Sequence, residues 1–270
     1  MCRSMWRFRG VRRRAPLGFV PLAALAVAFL AIPLIGLVLR TPWRNLPADL
    51  GAPGVLTALR LSLQCSVSAV AVSIVIGVPL AWLLARVSFP GRNVVRALVM
   101  LPMVLPPVVG GVALLLAFGR HGLLGQWLER AFGVTLPFST AGAVMAEAFV
   151  AMPFLIVTVE AGLRALGQRY EDAAATLGAG RWVTFLRVTL PLIAPTLGAG
   201  AALSWARALG EFGATITFAG NLPGSTQTMP LAVYLALQSN PEAAMALSLI
   251  MLVVSLSILL ALRGRWFHGH

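Results

Sequence analysis

Apolar residues along this chain gather into blocks of about 20, the length at which a helix rising about 1.5 Å per residue crosses the roughly 30 Å hydrocarbon core of a bilayer. Six such blocks occur, at about 17–39, 61–85, 97–118, 140–163, 188–209 and 243–262. They predict an all-α polytopic membrane protein with six transmembrane helices, in which a basic tail, 1–16, precedes a membrane domain, 17–270. The segment 212–238 is apolar enough to suggest a seventh span but holds Asn221, Pro223, Gly224, Gln227 and Pro230. It is expected as an external or partly re-entrant loop, which membrane depth tolerates only where protein or a water-filled cavity surrounds it.

Composition agrees with this reading. Of 270 residues, 59% are hydrophobic and 11% charged, with mean hydropathy +0.89, outside the soluble globular range. The net charge of +13 would suit nucleic acid, but a nucleic-acid-binding chain gathers its arginines on a soluble face with interleaved aromatics. Here the arginines follow the gaps between apolar blocks, so no nucleic-acid partner is expected. Their placement instead reports topology, because cytoplasmic loops are enriched in basic residues. With the tail inside, the inner set is Arg3, Arg7, Arg9, Arg12, Arg13 and Arg14 of the tail with Arg86, Arg92, Arg96, Arg164, Arg169, Arg181, Arg187, Arg263 and Arg265. The outer set is Arg40, Arg44, Arg120 and Arg130. Both termini are therefore expected in the cytoplasm. The first block exceeds the roughly 7–15 apolar residues of a signal peptide, and the LRTPWRNLP that follows offers no small-residue cleavage site, so this span is expected to be retained.

Within the third block, Pro102, Pro106, Pro107, Gly110 and Gly111 remove helical donors and predict a bend or break, of the kind that lines solute paths in transporters. Glu147 and Glu160 fall in the fourth block, about 140° apart around a helix turning 100° per residue, so they form no joint carboxylate site. Glu160 is expected to be solvated at the cytoplasmic end. Glu147 is the better functional candidate, since charge inside a membrane is costly, although a structural partner would explain it equally. Arg207 and Glu211 stand four apart near the outer end of the fifth block, on one face if the helix continues through Gly210. They read either as a local ion pair or as an arginine admitting an anion with Glu211 holding it in place.

Catalytic chemistry finds no constellation. The histidines are His121, in an external loop, and His268 and His270 at the end of the chain, which make neither a metal cage nor a nucleophile-base pair. A G-x-x-x-x-G-K-[ST] phosphate loop does not occur, so ATP hydrolysis is expected elsewhere. No metal, cofactor or enzymatic activity is expected of this chain. Cys2 and Cys65 lie in the tail and inside a span, and are not expected to meet.

The stretch EDAAATLGAGRWVTFLRVTLP, from Glu171 to Pro191, is cytoplasmic by this topology. A short helix is expected over about 168–177. Glu171 and Asp172 suit the positive end of its dipole, Gly178 can end it, and Ala173, Ala174 and Ala175 make a slim surface on which a partner can lie. Leu190-Pro191 then opens the next span, where proline costs least. These residues resemble a motif of the membrane permeases of bacterial ABC importers: E-A-A, three residues, G, nine residues, I-x-L-P. The match runs from Asp172 through Ala173, Ala174 and Gly178 to Val188, Leu190 and Pro191, with Asp172 in the Glu slot and Val188 in the Ile slot. FPGR at Phe89, LPMVLPPVVGG at Leu101, and ARALGEFGATITFAGNLPGSTQTMPLAVY from Ala206 further resemble the molybdate branch of that family, with the sulfate and thiosulfate branch close by.

What the resemblance implies is a type I importer permease fold with a coupling-helix loop at about 164–187. In it, Glu171, Asp172, Ala173, Ala174, Gly178, Leu190 and Pro191 couple the membrane domain to a separate ATP-binding cassette subunit. Pro106, Pro107, Arg207, Glu211 and Thr215 are the candidate translocation path. The implied assembly is a homodimer in the bacterial inner membrane with two ATPase subunits and an extracytoplasmic molybdate-binding protein, importing molybdate or the nearly isosteric tungstate. Sulfate or thiosulfate is the alternative cargo. Selectivity is expected to rest mainly with the binding protein, since no multi-arginine cage is evident within the spans. An ion-driven secondary carrier would be expected to show internal repeats and midplane coupling residues, and neither is evident.

Overall fold

The computed structural model describes residues 19–52 and 54–266, so the basic tail, the start of the first span, His268 and His270 lie outside it. Contacts divide the chain into two units, Met1–Thr41 and Pro42–His270. The first holds helix α1 (Phe19–Arg40), apolar on every side with no buried residue and with Arg40 in its last turn, where a cation suits the dipole. The Thr41 hydroxyl closes α1 by donating to the Leu37 carbonyl at 2.7 Å.

The second unit is built of helices joined by short connections, with no strand among its described residues. After the short α2 (Leu46–Leu50) come α3 (Val55–Arg86), α4 (Arg92–Val104), α5 (Pro107–Phe118), α6 (Gly125–Phe132), α7 (Thr140–Leu166) and α8 (Arg169–Thr176). Next, α9 (Arg181–Thr184), a π-helical turn (Phe185–Thr189) and α10 (Leu190–Leu209) form one continuous helix, followed by α11 (Gly213–Phe218), α12 (Met229–Ser239) and α13 (Pro241–Trp266). Among the described residues, five helices are long and apolar enough to cross a membrane, and α4 with α5 makes a sixth candidate as a pair bent by 120°.

The bend follows from covalent chemistry. Pro106 and Pro107 have no N–H to return to the carbonyls of Pro102 and Met103, and their rings exclude a continuing helix; α4 stops at Val104 and α5 restarts with Pro107 in its first turn. A second proline acts more gently. Pro191 cannot donate to the Arg187 carbonyl, and the turn before it widens so that the Leu190 N–H reaches back five residues to Phe185, a π-bulge in an otherwise regular helix. The expected fifth span thus starts earlier than residue 188, at Arg181. Helix α3 likewise begins before residue 61, bringing the exposed Arg60 into its first turns.

Helices α3, α7 and α10 form the core, with Leu84, Leu155, Ile156, Val159, Leu163 and Ile193 buried among them. Nearer the start of α7 the three approach through Ala69, Ala148, Ala151 and Ala208; small side chains let membrane helices come close enough for dispersion to hold them. The 212–238 segment, expected as an external or partly re-entrant loop, is not a span and contains the short helices α11 and α12 packed into the body. Phe218 joins Leu114, Ala146 and Val150, and Met229 joins Ala58 and Leu247. Its backbone is also tied down: the Ser62 hydroxyl accepts from the Met229 N–H at 2.6 Å, and Thr140 donates to the Ser225 carbonyl at 2.9 Å.

Candidate coupling face and translocation path

Helix α8 occupies the place expected for the coupling helix, with Gln168 before its first turn and Glu171 and Asp172 within it. It ends as its sequence dictates. Gly178 takes φ +82°, its N–H bonds to Ala175, and the Ala179 N–H bonds to Ala174, both at 3.0 Å. This six-to-one and five-to-two pattern is the Schellman arrangement that a glycine makes cheaply. Asp172, Ala173 and Gly178 are exposed and Ala174 is buried, so the motif presents one slim face outward. Beside it stand Leu177, 88% exposed, and Trp182, 77% exposed. Outside a bilayer, an apolar patch of this kind marks an interaction surface. A cavity of about 360 Å³ behind α8 is lined by Trp82, Glu171, Asp172, Ala175, Arg181 and Phe185.

Glu171 does not share the outward face. Its carboxylate is held by Arg86 Nε at 3.0 and 3.2 Å and accepts from the Thr189 hydroxyl at 2.9 Å. By sequence Arg86 is one of the inner arginines, and its bond to Glu171 emerges only in the structure. The one available signal was its position at the end of a span, facing the loop that carries a carboxylate. Leu190 and Pro191 lie further into the helix, where Pro191 sets the π-bulge that positions Thr189.

At the other end of α10, Arg207 Nη1 meets Glu211 Oε2 at 2.6 Å although the helix stops at Leu209. The ion pair therefore forms although the helix does not continue through Gly210. Glu211 is 1% exposed, and its second oxygen accepts from the Ala214 N–H at 2.8 Å, satisfying a donor at the start of α11. Thr215 follows one turn later, fully buried, and its hydroxyl oxygen has no hydrogen-bond partner among the described residues. Helix α5 rests directly on this segment: a Cβ on Gly213 would lie 2.8 Å from Pro107 Cβ, and one on Gly111 would lie 2.6 Å from Thr217 Cβ. Pro107, Glu211 and Thr215 are thus brought to one junction, with Arg207 at its edge and Pro106 at the bend beside it.

The two glutamates of α7 differ from each other and, in one case, from expectation. Glu160 is 7% exposed rather than solvated; Arg96 of α4 and Arg164 one turn on hold the same Oε1 at 2.7 and 2.6 Å. Two guanidiniums supply the partners that a buried carboxylate requires. Glu147 is buried, and its Oε2 has no hydrogen-bond partner among the described residues.

Residues 73–268 match the family model of the binding-protein-dependent transport system inner membrane component. The chain is 46% identical over 250 residues to the molybdenum transport system permease protein ModB of Mycobacterium tuberculosis, covering 92% of this chain and 94% of that one. It is 38% identical over 251 residues to the sulfate transport system permease protein CysT of Escherichia coli, covering 89% and 90%. A crystal structure of a bacterial ABC transporter that imports the acidic polysaccharide alginate superposes with a TM-score of 0.73 at 19% identity, covering 93% of this chain and 94% of that one. That likeness confirms the all-helical importer-permease fold. With apolar helices, a bent span and a motif-bearing α8 laid out in this order, the chain belongs to the family of binding-protein-dependent transport system inner membrane components.

Proposed function

We propose that this chain is the membrane-spanning permease of an ATP-driven importer that moves molybdate, or its near-isostere tungstate, into the cytoplasm. It works as a homodimer with two separate ATP-binding subunits and an extracytoplasmic binding protein that presents the anion. The observation that carries the substrate assignment is the higher identity to the molybdenum permease than to the sulfate permease over nearly equal lengths. Coupling is supported by the exposed face of α8, which keeps the motif residues Asp172, Ala173 and Gly178 at the surface beside Leu177. The arginine asymmetry supports a cytoplasmic position for that face, the side on which the ATP-binding subunits act in this reading.

In this reading, closure of the ATP-binding subunits draws the two α8 helices together and turns the pathway outward, and hydrolysis returns it inward. The bend at Pro106-Pro107 and the α11 junction are the part of the body positioned to follow, because α5 packs so closely on α11 at Gly111 and Gly213 that a Cβ at either would press on Thr217 or Pro107 and on the facing backbone. Arg207 lies at the edge of this junction, charged and partly exposed, where it attracts the incoming anion while Glu211 fixes its position. The assembled transporter in liposomes tests the proposal. ATP hydrolysis should rise when molybdate-loaded binding protein is added and not when the same protein is offered sulfate. Equal stimulation by sulfate would move the chain to the sulfate branch, and no stimulation by either anion would contradict the import reading.

A further inference from the structure

The end of the bundle that bears α8 contains a junction broader than the motif itself. Arg86, the last residue of α3, is 6% exposed at its side chain, and each arm of its guanidinium is used. Nε donates to Glu171, Nη1 to the Leu163 carbonyl at 2.8 Å and Nη2 to the Gly167 carbonyl at 2.7 Å. Leu163 and Gly167 lie at the end of α7, where carbonyls lack helical donors and the dipole favours a cation. The Thr189 hydroxyl, placed by the π-bulge, completes the set on Glu171. Four elements, α3, α7, α8 and the helix leading into α10, therefore meet at one guanidinium-carboxylate pair. The apolar attachment of α8 is slight by comparison, since Ala174 is its single buried residue.

We propose that Arg86 and Glu171, seated by Thr189, are the strut through which α8 drives the membrane helices, so that ATP turnover is converted into anion movement. A helix held by so little packing displaces its neighbours only as far as its polar junction is stiff. A planar fork with donors in three directions fits this task, and a lysine ammonium does not reproduce it. The strut rests on the reading of α8 as the docking helix, but Arg86 and Glu171 are positioning residues that touch neither ATP nor anion.

The test uses the whole transporter with loaded binding protein in liposomes. It reads retention of the ATP-binding subunits, ATP turnover, and anion taken up per ATP hydrolysed. Glu171→Gln keeps the side-chain shape and leaves Arg86 bonded to Leu163 and Gly167, so the fold is retained. It should keep the subunits and hydrolyse ATP while uptake per ATP falls about tenfold, the scale of one lost charge-assisted hydrogen bond. Thr189→Val should lower the ratio in the same direction, with Thr189→Ser recovering it. An unchanged ratio in Glu171→Gln with subunits retained overturns the strut. Loss of the subunits in that variant also overturns it, by making Glu171 a docking residue. If the unaltered chain fails to retain the subunits at all, the docking reading falls and takes the strut with it.

Discussion

Gly178 holds a left-handed φ of +82° with open space where a Cβ would project, so the penalty for any side chain there is conformational rather than steric. For a β-branched residue it is about 1–2 kcal/mol, enough to unwind the end of so short a helix. Gly178→Val is expected to insert into membranes normally yet lose the ATP-binding subunits on purification, while Gly178→Asn retains them better because asparagine tolerates this region. Equal retention by both would contradict the account of that turn. At the opposite end of the body, Glu211 bonds both Arg207 and the Ala214 N–H. Glu211→Ala should lower the thermal stability of the purified permease by about 1–3 kcal/mol, and Glu211→Gln by less. Arg207→Ala should slow uptake without disturbing assembly, and unchanged uptake kinetics would leave Arg207 purely structural. Such pairs were only partly legible in sequence. The four-residue spacing announced Arg207 and Glu211, whereas Arg96 reaches Glu160 from 64 positions away, a distance over which no local rule operates.

Among the elements, those fixed by proline and glycine were the most readable, because their effects act through the backbone and need no partner. Pro106-Pro107 breaks the third span where donors are lost, and Gly178 ends α8. The π-bulge before Pro191 and the two helices within 212–238 were not readable: the first is a local response to one missing donor, and the second depends on surfaces supplied by α3, α5, α7 and α13. The contact of α5 with α11 gives a sharp expectation. A Cβ on Gly111 would press on Thr217 and on the Ala214 backbone, the latter at 3.0 Å to its oxygen. Gly111→Val should therefore separate the two helices at a cost of about 1–3 kcal/mol, with uptake lost and the melting temperature lowered. Wild-type uptake in that variant would show that α5 and α11 need not stay in register during transport.

At the scale of the molecule, the apolar blocks and their arginine-rich gaps carried most of the fold, since burial in lipid imposes one simple requirement on every span. The orientation proposed from the same arginines has its own check: Leu177→Cys in a Cys2→Ser background, on an 88% exposed side chain, should react with a membrane-impermeant thiol reagent only in inside-out vesicles. Reaction from the outer face would invert the topology and remove α8 from the side where ATP is hydrolysed. The central claim is that this body, driven through α8, carries molybdate. The most direct measurement is ATP-dependent uptake of molybdate into vesicles containing the chain, its ATP-binding subunits and the binding protein, with sulfate in excess. Uptake that requires ATP and resists sulfate is the predicted result; uptake that sulfate abolishes, or that proceeds without ATP, would contradict it.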